Sequence, residues 1–123
     1  AIPIFIKKIS SNESPILFGG GMTKRNHVYV DDAIDAIFSW LYSKKSGTYN
    51  IGGPDAPNNF KIIELINKKF GKDIKPNFEN STTKQYDFIV DTSLANKVLG
   101  FKATTNIEEG ISKTIDRYNS IIK

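Results

Sequence analysis

Residues 15–32 read Pro15-Ile16-Leu17-Phe18-Gly19-Gly20-Gly21-Met22-Thr23-Lys24-Arg25-Asn26-His27-Val28-Tyr29-Val30-Asp31-Asp32. The apolar triplet Ile16-Leu17-Phe18 reads as a short strand. Three glycines then turn the chain, since glycine reaches positive φ without a Cβ clash. Arg25 leads into a second strand-like run at residues 27–30, and Asp31-Asp32 opens a helix. The pattern predicts a hairpin with a glycine-rich tip. Asp31 is expected to cap the helix, where a carboxylate accepts from free amides and faces the positive end of the dipole.

Outward from this stretch, apolar spacing organises the chain. Ile2, Phe5, Ile6 and Ile9 recur at helical intervals behind a Pro3 tolerated in a first turn, predicting a helix over residues 2–9. Ile34, Ile37, Phe38 and Leu41 form one apolar face of the helix after Asp31. Residues 48–51 read as a strand stopped by Gly52-Gly53-Pro54. Asn59 is expected to cap a helix with Ile62, Ile63, Ile66 and Phe70 inward and Gly71 at its C′ position. Residues 74–78 and 86–90 read as short strands around a polar loop. Asp91 or Thr92 caps a helix over 93–99, ended by Gly100. Thr105 and Glu108 have the capping-box spacing. The last helix is expected over about 106–121, with Ile107, Ile111, Ile115, Tyr118 and Ile122 on one face. Strands alternating with helices predict one mixed α/β domain over residues 1–123.

The 123 residues suffice for one modest core. With no cysteine, disulfides and thiol chemistry are excluded, and a lone His27 argues against a zinc site. No apolar run approaches the ~20 residues of a membrane helix, so no membrane partner is expected, and the expected location is cytoplasmic. The net charge of +4 invites a nucleic-acid reading. The lysines are scattered in pairs, however, with no arginine cluster and no basic–aromatic interleaving, so no nucleic-acid partner is expected. Only two of the 17 basic residues are arginines, Arg25 and Arg117. Where lysine serves every plain positive charge, an arginine invites the question of bidentate anion binding.

Gly19-Gly20-Gly21 matches neither GxxxxGK[ST] nor GxGxxG. No Tyr-x-x-x-Lys occurs, and any catalytic triad would depend on His27. Asp31-Asp32 and Glu108-Glu109 sit at helix starts, where dipole compensation explains them. No catalytic, cofactor-binding or metal-binding residue is assigned. Arg25 has two readings. It is a surface strand residue paired with Asp31 or Asp32, or it is an anion clamp beside the glycine-rich tip. Asn59 is a helix cap that can also present its amide to a ligand. Phe18 and Tyr29 are core or half-core aromatics, or a stacking surface for a base.

Ile2-Pro-Ile-Phe-Ile, Phe18-Gly-Gly-Gly, Arg25-Asn-His-Val-Tyr-Val-Asp-Asp, Thr48-Tyr-Asn-Ile-Gly-Gly, Leu99-Gly-Phe and Glu108-Glu-Gly-Ile, in this order, resemble the C-terminal part of the NAD-dependent epimerase/dehydratase family. These are extended short-chain dehydrogenases of the UDP-glucose 4-epimerase and dTDP-glucose 4,6-dehydratase kind. The resemblance implies a small substrate-binding lobe of about five helices and short strands, completing a Rossmann-type parent fold. It implies that Arg25 binds a diphosphate, that Ile16 and Phe18 pack on the nucleotide base, and that Asn59 helps hold the diphosphate. The family's usual Asp and Phe after the arginine are Asn26 and His27 here. Its Arg-Pro-Gly-Asp or Arg-Pro-Gly-His loop is replaced near residues 81–84 by Ser-Thr-Thr-Lys, leaving Lys84 as a point charge in place of a second arginine.

The implied partners are a UDP- or dTDP-sugar and an N-terminal Rossmann domain that carries NAD and the catalytic residues. Without that domain, an exposed sheet edge and apolar surface are expected to make the lobe self-associate. Two other functions stay open: a stand-alone binding or interaction module on the same fold, and a small basic nucleic-acid-binding domain.

Overall fold

A computed structural model of the protein describes residues 1–122. Five helices and two short strands follow in the order α1 (Ile2–Ser10), β1 (Ile16–Phe18), α2 (Val30–Ser43), α3 (Asn59–Phe70), β2 (Asn77–Glu79), α4 (Ser93–Leu99) and α5 (Ile107–Ile121). Helices α1, α3 and α5 pack through Ile6, Ile9, Ile62, Ile66, Ile111 and Ile115, each at most 2% exposed, and Leu17 of β1 closes this core. Each such side chain contributes about 1.5–3 kcal/mol on burial. A smaller cluster of Ala36, Phe101 and Ala103, with Ile51 and Leu99 against it, lies under α2.

Polar side chains finish the helices. Gly71 and Gly100 close α3 and α4 in the left-handed conformation, as their positions in the sequence predict. The Lys72 ammonium donates to the Ile9 and Ser10 carbonyls at 2.9 and 2.7 Å, ending α1. Asn67 both donates to and accepts from the backbone of Ile74, fixing the turn into β2.

The expected hairpin does not form. Gly19, Gly20 and Gly21 all have positive φ (60, 81 and 67°) and make a single 3-10 turn. That turn carries the chain onward instead of back along β1. The partner of β1 is β2, in parallel register Ile16↔Asn77, Leu17↔Phe78 and Phe18↔Glu79. Parallel pairing needs a long crossover, here supplied by α2, α3 and their loops. Residues 24–26 instead run beside Phe88, with Phe88 N–H donating to Lys24 O at 2.8 Å. Long-range pairing has overridden the local turn signal. Residues 27–30 are not a strand, because Val30 already belongs to α2.

Helix starts are displaced from their expected caps in three places. Helix α2 begins behind Tyr29, so Asp31 lies inside the first turn and does not cap it; neighbouring Asp32 is buried and accepts from Thr105 N–H at 2.9 Å. Asn58, not Asn59, caps α3 by accepting from Lys61 N–H at 2.9 Å. Asn106, not Thr105, caps α5 by accepting from Glu109 N–H at 2.9 Å. In α3 and α5 adjacent residues compete for the cap and the loop's approach decides, whereas α2 starts at Tyr29 with no side-chain cap.

The expected strand at 48–51 has no ladder among the described residues. The apolar face of α2 exists as the spacing predicts, but nothing in the chain covers it. Ile34, Ile37, Phe38 and Leu41 are 44–57% exposed, while only Asp32 and Ala36 of this helix are buried.

Candidate functional site

Three segments far apart in sequence meet around Arg25. The Arg25 N–H donates to Pro57 O at 3.2 Å, tying it to the loop that leads into α3. Arg25 also forms a parallel bridge with Phe88. Met22, three residues earlier, lies against the amide of Asn58, the α3 cap. The guanidinium thus hangs from a backbone fixed beside the N-terminal end of α3, where unpaired N–H groups and the helix dipole favour an anion. It is exposed, and among the described residues it makes no hydrogen bond or ion pair. The pairing with Asp31 or Asp32 weighed from the sequence does not form.

The junction is held by Asn26 and two glycines. The Asn26 amide donates to Gly53 O at 3.1 Å and Asp55 O at 3.2 Å, and its carbonyl oxygen accepts from Val90 N–H at 2.9 Å. Gly53 passes so close that an added Cβ would run into the His27 carbonyl oxygen. A Cβ on Gly52 would meet Val90 at 2.8 Å and Asn26 at 3.2 Å. The Asp55 carboxylate accepts from Ile107 N–H at 2.8 Å, so the same loop also anchors α5. Burial first, then the positive charges of the Ala1 ammonium and of Arg25, lower the His27 imidazole below its ordinary pKa.

The remaining sequence candidates are distributed as follows. Ile16 and Phe18 share one face of β1, opposite the core-facing Leu17; Ile16 is half-buried and Phe18 is 54% exposed. Phe18 leads directly into the glycine turn, and Ser81 and Gln85 pack on Gly19. This brings the loop that carries Lys84 over the same turn, with the Lys84 ammonium 5.2 Å above the Tyr86 ring. Asn59 is the first residue of α3, next to its cap, half-buried and one residue from the Phe60–Phe78 aromatic pair. Arg25, Asn59, Phe18 and Lys84 therefore belong to segments that adjoin one another around the glycine turn and the start of α3.

Sequence reasoning missed Asn58, Asp55 and the hydrogen bonds by which Asn26 holds the junction. Gly52-Gly53-Pro54 was the one local signal of a close backbone approach. On another face, α2 and the chain from Gly47 to Ile51 border an open apolar pocket of about 320 Å³, lined by Ile37, Trp40, Tyr49, Ile51 and Leu99. Among the described residues no cluster of His, Asp or Glu is arranged to hold a metal ion, and no helix is long and apolar enough to cross a membrane.

Known proteins match this chain in sequence and fold. The sequence profile of the NAD dependent epimerase/dehydratase family matches residues 1–52. The chain is 33% identical to the dTDP-4-dehydro-6-deoxyglucose reductase of Escherichia coli over 117 residues, which are 93% of this chain and 37% of that protein. It is 30% identical to the dTDP-glucose 4,6-dehydratase of Mycolicibacterium smegmatis, over 97% of this chain and 37% of that one. Its fold superposes on UDP-glucuronic acid 4-epimerase from Bacillus cereus, solved with UDP-glucuronic acid and NAD, with a TM-score of 0.91 at 26% identity. The match covers 98% of this chain and 40% of the epimerase. The chain thus spans less than half the length of these relatives. In its ordered motifs, its profile match over residues 1–52 and its mixed α/β fold, the chain resembles members of the NAD-dependent epimerase/dehydratase family.

Proposed function

We propose that residues 1–123 are the C-terminal nucleotide-sugar-binding domain of a cytoplasmic NAD-dependent sugar-nucleotide epimerase or dehydratase. The observation that carries this reading is the Arg25 guanidinium, without a partner among the described residues and held by its backbone beside the start of α3. A planar fork donor next to a helix N-terminus suits a diphosphate, whose two phosphates spread charge over several oxygens. Phe18 and Ile16 offer an apolar edge to a base, Asn59 an amide, and Lys84 a second positive charge. The domain's share of catalysis is to fix the nucleotide so that the sugar is held at the reacting centre, using binding energy remote from the chemistry.

In this reading NAD supplies a reversible oxidation at the sugar's C4, from the part of the protein outside this domain. The glycine run does not suit the cofactor's phosphates. The three glycines open a 3-10 turn rather than a helix, and the turn's packing accounts for them, since a Cβ on Gly21 would meet Leu17 at 2.6 Å. The NAD-binding domain would cover the apolar face of α2 and the unpaired chain at 48–51, surfaces that a finished globule does not leave open.

The nucleic-acid alternative draws little support from the charges. Lys8, Lys61, Lys68, Lys69, Lys75 and Lys113 each pair with a carboxylate. Calorimetric titration with UDP- and dTDP-sugars, beside DNA and RNA at two salt concentrations, separates the readings. Sugar-nucleotide binding that weakens on Arg25→Lys supports the proposal, since lysine keeps the charge but not the fork. Steep salt dependence with nucleic acid and no sugar-nucleotide binding would overturn it, and the absence of any signal would favour a stand-alone interaction module.

A further inference from the structure

We infer that Asn26 is a positioning residue that sets where the Arg25 guanidinium sits, and that the position demands an amide, not the carboxylate usual after this arginine in the sequence pattern the chain resembles. The inference rests on the reading of Arg25 as the diphosphate donor.

The oxygen end of the Asn26 side chain accepts from a main-chain donor, Val90 N–H, at 2.9 Å. The nitrogen end faces two main-chain acceptors, Gly53 O at 3.1 Å and Asp55 O at 3.2 Å. A main-chain N–H can only donate and a carbonyl can only accept, so the amide has one satisfactory orientation and fills it. These three bonds connect the residue after Arg25 to both segments that flank it, the loop before α3 and the run containing Phe88. Arg25 contributes only backbone to this junction, through its N–H to Pro57 O and its bridge to Phe88. The direction in which the guanidinium leaves the surface is therefore fixed one residue away.

An ionised aspartate at position 26 has the same shape and no donor. It would keep Val90 but set a negative oxygen against two carbonyl oxygens, breaking both links to the 53–55 loop. A serine removes the reach without adding charge. Either change leaves Arg25 tied to the start of α3 by its own N–H to Pro57 O alone, and the diphosphate would then meet a more mobile fork.

The test uses the 123-residue chain with UDP as the probe. Because only Arg25 and Arg117 are present, the arginine Nε–Hε region of a nitrogen–proton NMR spectrum holds two signals, and Arg117→Lys identifies which is which. In the wild type, UDP is expected to shift the Arg25 signal and leave Arg117 unmoved. In Asn26→Asp and Asn26→Ser, UDP affinity is expected to fall about tenfold or more, with the Arg25 shift reduced. Circular dichroism reports whether each variant is folded; should the aspartate variant unfold, the serine variant, which adds no charge, gives the reading.

A folded variant that binds UDP as tightly as the wild type, with the same Arg25 shift, overturns the inference. So does a loss of affinity with the Arg25 signal shifting as before at saturation, since Asn26 would then act on stability and not through the arginine. A wild type whose Arg25 signal ignores UDP and dTDP overturns the parent reading itself. That failure is distinguished by arising before any variant is made.

Discussion

Glycine at position 53 and glycine at position 110 should respond to the same substitution with opposite signs. A Cβ on Gly53 would collide with the His27 carbonyl oxygen and come within 3.1 Å of its carbon, both backbone atoms that no rotamer can move. Relief requires the two segments to part by roughly an ångström. The Asn26 bonds to Gly53 O and Asp55 O, at 3.1 and 3.2 Å, have no such slack. Two hydrogen bonds at about 1 kcal/mol each and an overpacking cost of about 1–3 kcal/mol give a loss near 3–5 kcal/mol for Gly53→Ala. Gly110 lies inside α5, and its Cβ would make only ordinary contact with Tyr29, at 3.5 Å. Alanine there removes a helix-interior glycine and should stabilise by about 0.5–1 kcal/mol. Urea unfolding followed by circular dichroism measures both, with free energies from linear extrapolation. The reasoning is refuted if Gly53→Ala stays within about 1 kcal/mol of the wild type, or if Gly110→Ala is the more damaging of the two.

Three further outcomes follow from the same structure. Lys72→Met should cost about 1–2 kcal/mol, because it uncaps the last carbonyls of α1. Lys75→Met, which breaks only an exposed pair with Asp73, should change stability by less than about 0.5 kcal/mol; thermal melting compares them. The lowered pKa of His27 means the folded state binds fewer protons than the unfolded one near pH 6. Its contribution is therefore complete above the ordinary histidine value of about 6.5 and is lost as the pH falls through the lowered one. Urea midpoints should drop between pH 7.5 and 5.5, and Asn or Gln at position 27 should flatten that slope; an unchanged slope would count against it. Finally, the bare face of α2 should make the isolated chain self-associate. Ile37→Glu with Leu41→Glu, both on side chains more than half exposed, should restore a monomer in sedimentation velocity without lowering the melting temperature. A wild type that sediments as a monomer over a wide concentration range would show the face to be innocuous.

Periodicity made the helices legible, and it could do no more than that for their surroundings. Ile62, Ile63 and Ile66 are buried where the spacing of α3 puts them, and Gly71 and Gly100 end helices as their chemistry requires. Ile34, Ile37, Phe38 and Leu41 have the same spacing and lie open, because a pattern defines a face and not what covers it. The hairpin failed for a related reason. Glycines advertise a turn, but whether β1 pairs with residues 27–30 or with Asn77–Glu79 is settled by the crossover through α2 and α3. At the candidate site, Arg25 stood out through its rarity. Asn26 registered only as a departure from the usual aspartate, since its three partners lie 27 to 64 residues away and leave no local trace.

The separation between Lys24 and Asp87, 63 residues joined by one bond of 2.8 Å, has a consequence for how the protein is made. During translation, the arginine leaves the ribosome long before the segment around Phe88 that flanks it exists. Closing so long a loop brings its reward only when both ends are present. The junction around Arg25 therefore cannot close until residues 87–90 have been made, and a nascent chain stopped before Asp87 would have α1, α2 and α3 but neither this junction nor the part of the core that α5 supplies.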